Sequence, residues 1–221
     1  MFMLMAGAVL AADSEPKDEA IAAAKKLGDN YSWKSDFDSG NFSGSTEGKT
    51  DQGLTSLSMT FGDNTTEAVL QGSKGAVKLA DQDWQSLSEL ASSTEQGRGR
   101  FMVRRLQTFK GPAAELEDLV SKAKDLKKDG DVYSSELTEA GAKDLLTFRR
   151  RGNNSNGPTN AKGLLKIWTK DGMVSKYQVK LQGTVNFNGE DRDIDRTTTT
   201  EIKDVGTTKV TVPDAAKTKL S

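Results

Sequence analysis

At 221 residues, 34% of them hydrophobic and 29% charged, the chain is long enough for one well-filled domain but thinly supplied with core residues. It contains no histidine and no cysteine, which excludes imidazole bases, Ser-His-Asp triads, thiolate metal sites and disulfide frameworks. Lys and Arg (31) nearly cancel Asp and Glu (32), and a net charge of −1 argues against a nucleic-acid partner, whose backbone demands a basic surface.

Met1 to Ala12 is apolar and ends in small residues, with Val9 and Ala11 in the small-residue positions of a secretory signal peptide and cleavage expected near Ala11/Ala12. The stretch is too short to span a bilayer. The expectation is a periplasmic or secreted protein with peripheral or no membrane contact, and a single domain over residues 13–221.

Pro16 opens a short amphipathic helix with Ala20, Ile21, Ala24 and Leu27 on one stripe, ended by Gly28. Strand-like runs follow at Tyr31–Phe37, Phe42–Lys49, Leu54–Phe61, Glu67–Gln71 and Ala76–Leu79, separated by Gly-rich turns, and their close spacing predicts a meander. Trp84, Leu87 and Leu90 predict a short helix after Asp83. Gly99–Lys110 is read as a strand with Phe101 and Val103 inward, and Leu106 and Phe109 as further candidates for that face. Pro112 starts a helix with the stripe Leu116, Leu119, Val120, Ala123 and Leu126, acids in its first turn, lysines in its last and Gly130 beyond. Val132-Tyr133 is extended, Thr138 caps a helix through Leu146, and Arg149–Asn160 is a polar loop.

The clearest pattern comes last. From Lys176 to Asn188 the residues alternate, with Tyr177, Val179, Leu181, Gly183, Val185 and Phe187 on one face and polar residues on the other. Asp171-Gly172 and Asn188-Gly189 flank this run, and both dipeptides favour tight hairpins. The end of the chain is therefore a long-stranded antiparallel meander, and the whole is one α+β domain with helices inserted between two halves of a sheet.

Few constellations point to chemistry. Asp191, Asp193 and Asp195 share a strand face without the spacing of a calcium loop, and are read as a solvated hairpin end. Thr197–Thr200 is read as an exposed strand of high β-propensity. Arg98, Arg100, Arg104 and Arg105, together with Arg149–Arg151, form two basic clusters; Arg98, Arg100 and Arg105 are the candidates for holding an anionic group through charge and bidentate hydrogen bonds. No nucleophile–base pair stands out. The expected protein is not an enzyme and uses no cofactor or metal.

The stretch Gly163–Gly172, a strand ending in a Lys-Asp-Gly turn, resembles the LolA-like and LppX-like superfamily of periplasmic lipoprotein carriers. Thr197–Ala216, with Glu201–Gly206 and then Val210-Thr211-Val212-Pro213, is similar to that superfamily's closing strands, with Val205 where an aromatic is usual. The resemblance implies a strongly curved antiparallel β-sheet, an incomplete barrel, with helices packed across its concave face. It also implies a non-catalytic cell-envelope protein that carries a lipid or lipoprotein acyl chains between sheet and helical lid. On that reading the ligand-binding candidates are Phe101 and Val103, Leu116 and Leu119 of the Pro112 helix, Ile167, and Tyr177, Val179, Leu181, Val185 and Phe187. The same apolar residues would equally serve a filled core, in which case the protein is a structural or sensor module that binds an envelope protein partner through a sheet edge or the 149–160 loop.

Overall fold

The computed structural model describes residues 15–40, 42–92, 98–147, 157–187 and 189–220, with the side chains of Arg98 and Phe187 outside that description. The apolar N-terminal stretch, Arg149–Arg151 and most of the 149–160 loop also lie outside it.

The long alternating run forms β10 (Met173–Phe187), between β9 (Thr159–Lys170) and β11 (Glu190–Lys203). Asp171 and Gly172 turn the first hairpin with φ of 53° and 72°, the paired positive values that a type I′ turn needs. A register shift between Val174 and Lys176 inserts one extra residue into β10. Val174 and Tyr177 are consequently both buried despite their odd separation, and strict alternation begins only after the bulge.

The remaining elements, in chain order, are α1 (Pro16–Lys25), β1 (Tyr31–Asp38), β2 (Ser43–Asp51), β3 (Leu54–Phe61), β4 (Asn64–Gln71), β5 (Lys74–Leu79), β6 (Gln85–Ser86), α2 (Leu87–Ser92), α3 (Arg98–Gln107), α4 (Pro112–Lys122), β7 (Lys127–Asp129), β8 (Val132–Glu136), α5 (Glu139–Leu146) and, after β11, α6 (Asp214–Lys217). All strands join one open, curved sheet in the order β6-β5-β4-β3-β2-β1-β11-β10-β9-β8-β7. Two antiparallel meanders thus meet where β1 pairs with β11, and β6 and β7 are the edges of the sheet among the described residues. The fold is α+β. Helices α2 to α4 carry the chain from one edge to the other, and α1, α4 and α5 bury Ala20, Ala24, Leu116, Leu119, Ala142 and Leu146 in one core with the sheet.

Two expectations are corrected. Gly99–Lys110 is not a strand: residues 98–107 form α3, and Met102, Val103 and Leu106 are its buried stripe. Phe101 and Val103 mimic a period of two, but the i, i+3 and i, i+4 spacing of Val103 and Met102 to Leu106 prevails in so short a window. Phe101 is left 63% exposed. The Pro112 helix also stops early. Ala123 turns to ψ 145° and bridges to Leu137, so Lys127–Asp129 becomes the edge strand β7. Gly130, with φ 58°, serves the β7–β8 hairpin and is not a helix cap. Thr138 caps α5 as expected, its hydroxyl accepting from the Gly141 amide at 3.0 Å.

The other face is crossed by the C-terminal segment. Asn30 donates to Asp51 at 2.7 Å and to the Thr208 carbonyl at 2.9 Å, and Ala216 and Leu220 then bury against Val69 and Ala76 of β4 and β5. Trp84, expected on a helical stripe with Leu87 and Leu90, packs in this second cluster instead.

Candidate ligand-binding face

The strand registers define the helix-side face as rows of side chains running across the sheet. A central row passes from Tyr133 through Ile167, Tyr177, Thr200, Ser35, Thr46, Met59 and Thr66 to Leu79. On one side of it lies Ile202–Trp33–Gly48–Leu57–Ala68–Val77, and on the other Leu165–Val179–Thr198–Phe37–Gly44–Phe61.

The first flanking row is closed. Trp33 is 5% exposed, lies 5.6 Å from Tyr31 and stacks on Phe109 at 6.2 Å. Its indole lies across β2 where Gly48 leaves room, since a Cβ on Gly48 would sit 2.1 Å from the ring. The second row is open on the β1–β3 side. Phe37 and Phe61 lie 5.8 Å apart over Gly44, both half-buried, and Phe42 stacks on Phe61 at 6.2 Å while remaining 54% exposed. Arg105 of α3 places its guanidinium 5.1 Å over the Phe61 ring, and this partial desolvation lowers its pKa. Phe101, one helical turn before Arg105, shares that face of α3. Val185 and Ile194 are half-buried on the helix-side face further along the β10–β11 hairpin.

A polar chain crosses the closed floor. Ser35 and Thr200 share a hydrogen bond of 2.8 Å, and the Tyr177 hydroxyl donates to Oε2 of Glu115 on α4 at 2.5 Å. Burial raises the Glu115 pKa, against the opposing influence of Tyr177 and the charge of Arg196. The same burial, with Glu115 beside it, raises the Tyr177 pKa well above 10. The Tyr177–Glu115 hydrogen bond ties α4 to the floor of the sheet and acts as a latch between them.

Arg196 stands on the same face, opposite Leu181 and flanked along β11 by Ile194 and Thr198. Its Nε is buried and has no hydrogen-bond partner among the described residues, and burial lowers its pKa. The sequence contained a signal for it: Arg196 falls in phase with the apolar residues of a strand whose other face carries Asp191, Asp193 and Asp195. Those acids are occupied by a cross-strand ladder: Gln182 donates to Asp195, Thr184 to Asp193 and Asn186 to Asp191, each at 2.8 Å. Among the described residues no group of acids is placed to hold a metal ion.

Of the expected ligand-binding residues, Leu116, Leu119, Ile167, Tyr177, Val179 and Leu181 pack together in the closed core with Val103. Phe101 and Val185 lie toward the open end, and the Phe187 side chain falls outside the described residues. Of the expected anionic-site residues, Arg105 reaches the aromatic rim, Arg100 is exposed on α3 and the Arg98 side chain is outside the description. Phe37, Phe42, Phe61, Ile194 and Arg196 complete the open region and were not expected there.

At this same end of the sheet an open depression of about 630 Å³ is lined by Phe37, Gly44 and Gly62 together with the polar Asp36, Asp38, Ser43, Ser45, Thr60, Thr197 and Thr199. No protein-family model matches the chain, and no curated protein matches it in sequence.

Proposed function

We propose that this is a non-catalytic carrier of the cell envelope, exported by its apolar leader, that holds the acyl chain of a lipid or lipoprotein between the curved sheet and its helices. The observation that carries this reading is the incomplete closure of the helix-side face. Phe37, Phe42 and Phe61 form a contiguous ring cluster that is half-buried to exposed, at the edge of an otherwise sealed core. An apolar patch of this kind is ordinarily covered by something. An acyl chain laid over it gains about 0.8 kcal/mol for each buried methylene, so a short groove is enough for useful affinity. The likeness to LolA-like carriers is supported by the arrangement of two antiparallel meanders in one open sheet, with α2 to α4 inserted between them in the chain.

The site lies toward the β1–β3 side of the face and not under α4, where Leu116 and Leu119 are 0% and 3% exposed. Protein purified without detergent is expected to carry lipid in native mass spectrometry, or after delipidation to take up a fluorescent fatty acyl probe that Phe61→Ala weakens. A chain that neither co-purifies with lipid nor takes up the probe overturns the reading. It would leave the rival, a partner-binding module, which the filled core beneath α4 favours.

A further inference from the structure

We propose that the carried molecule is an anionic amphiphile, and that Arg196 receives its acid group while the chain runs out over Phe37 and Phe61. This rests on the carrier reading and adds the chemical class of the ligand.

Arginine on the apolar face of a strand is costly unless its donors are engaged. Arg196 shares that face with Leu181 opposite and Ile194 and Thr198 alongside, and Phe37 stands across β11 from Thr198, on the diagonal. It lies past the last β1–β11 pair, Asp38–Thr197, where the β10–β11 hairpin continues without a neighbour on its β1 side. The guanidinium therefore stands at the border between the sealed core and the open aromatic cluster. Its Nε is shielded from solvent and bonded to nothing among the described residues, and it forms no ion pair within 4.0 Å there.

The nearest acid does not serve as its partner. Glu115 is close enough for the two charges to influence each other, but its carboxyl accepts from Tyr177 at 2.5 Å. Burial also disfavours the charged form of Glu115. An oxyanion entering from the open end would satisfy the orphaned donor with short, charge-assisted hydrogen bonds in the planar geometry a guanidinium offers. A second cation, Arg105, waits at the rim over Phe61. Carboxylate and phosphate share this chemistry. A neutral lipid of the same length offers Nε only an uncharged acceptor, without the charge assistance.

The test uses the full chain, delipidated, with palmitate, hexadecyl phosphate and hexadecanol each displacing a neutral fluorescent acyl probe below their critical micelle concentrations. At mildly alkaline pH at least one acid is expected to bind about tenfold or more tightly than the alcohol, the factor that a single charge-assisted contact of modest strength confers. Arg196→Met should remove that preference, bringing acid and alcohol affinities together, while Arg196→Lys should restore part of it. Whichever acid binds more tightly identifies carboxylate or phosphate as the group received. Equal binding of acids and alcohol by the unaltered protein, or a preference that survives in R196M, overturns the proposal while leaving the carrier reading intact. If none of the three ligands binds, the carrier reading fails with it.

Discussion

The two ends of β1 carry the same kind of side chain and have opposite surroundings. At one end Tyr31 and Trp33, both buried, form a ring cluster with the partly buried Phe109 from the segment after α3. At the other end Phe37, with Phe42 and Phe61, forms a cluster of similar spacing, over which α3 places Arg105. Both clusters lie over a glycine of β2, Gly48 under Trp33 and Gly44 between Phe37 and Phe61, so the sheet provides the same shallow bed twice. Helical cover makes the difference: the first bed is roofed and the second is not. Aromatic burial is structural at the first site, and at the second the apolar surface is available to a ligand.

The largest test of this contrast is Trp33→Ala. A fully buried aromatic lost from a closed core costs about 3–5 kcal/mol, which a urea unfolding curve would read directly as a lowered midpoint. The same truncation at Phe61, half-buried, should cost clearly less and act mainly on acyl-probe uptake. Equal stability losses would mean that the two beds are equally roofed. Gly48→Val belongs with Trp33→Ala, because its side chain has to displace the indole; overpacking of this sort costs about 1–3 kcal/mol by the same measurement.

The meander was legible because it is written in local chemistry. Alternation from Lys176 onward, Asp-Gly and Asn-Gly turns and short Gly-punctuated runs each name an element without reference to the rest of the chain. The order of strands was less accessible. That β1 pairs with β11 across a separation of about 170 residues, closing two meanders into one sheet, follows from no local pattern. The open site was harder still, since its members come from distant segments and its decisive feature is missing cover. Phe37, Phe42 and Phe61 read as ordinary strand and turn aromatics until the path of α3 is known. Arg196 was obscured by the acidic run before it, although its phase on the strand marked it as inward. The misreading of α3 has the same root, because ten residues containing four arginines give helix and strand periodicities little to separate them.

The latch between α4 and the floor sharpens the contrast at an intermediate scale. Tyr177→Phe removes a donor to a buried carboxyl and should destabilise by about 1–3 kcal/mol. Glu115→Gln probes the same contact through pH. Because burial raises its pKa, folded Glu115 keeps its proton to higher pH than the unfolded chain does. Its contribution to stability is therefore complete below the usual glutamate value of 4.5 and is lost as pH rises through the raised one. Glu115→Gln abolishes that loss, so the variant should gain on the unaltered protein as pH climbs from acid toward neutral. A difference in stability that stays constant over that range would show that the carboxyl is not held protonated by the fold.

The smallest effect on stability is expected at Phe42, and it separates the two ends most cleanly. With 54% of its surface exposed, and its ring contacts confined to Phe37 and Phe61, Phe42→Ala should shift the free energy of unfolding by no more than about 0.5 kcal/mol. If the cluster is a binding surface, the same change should weaken acyl-probe uptake severalfold, because it removes apolar area that the ligand covers and the fold does not need. If the cluster only closes the end of the core, Phe42→Ala should leave uptake unaltered and raise the mobility of Phe37 and Phe61. An unchanged affinity alongside unchanged stability would take the open end of β1 out of the binding site altogether.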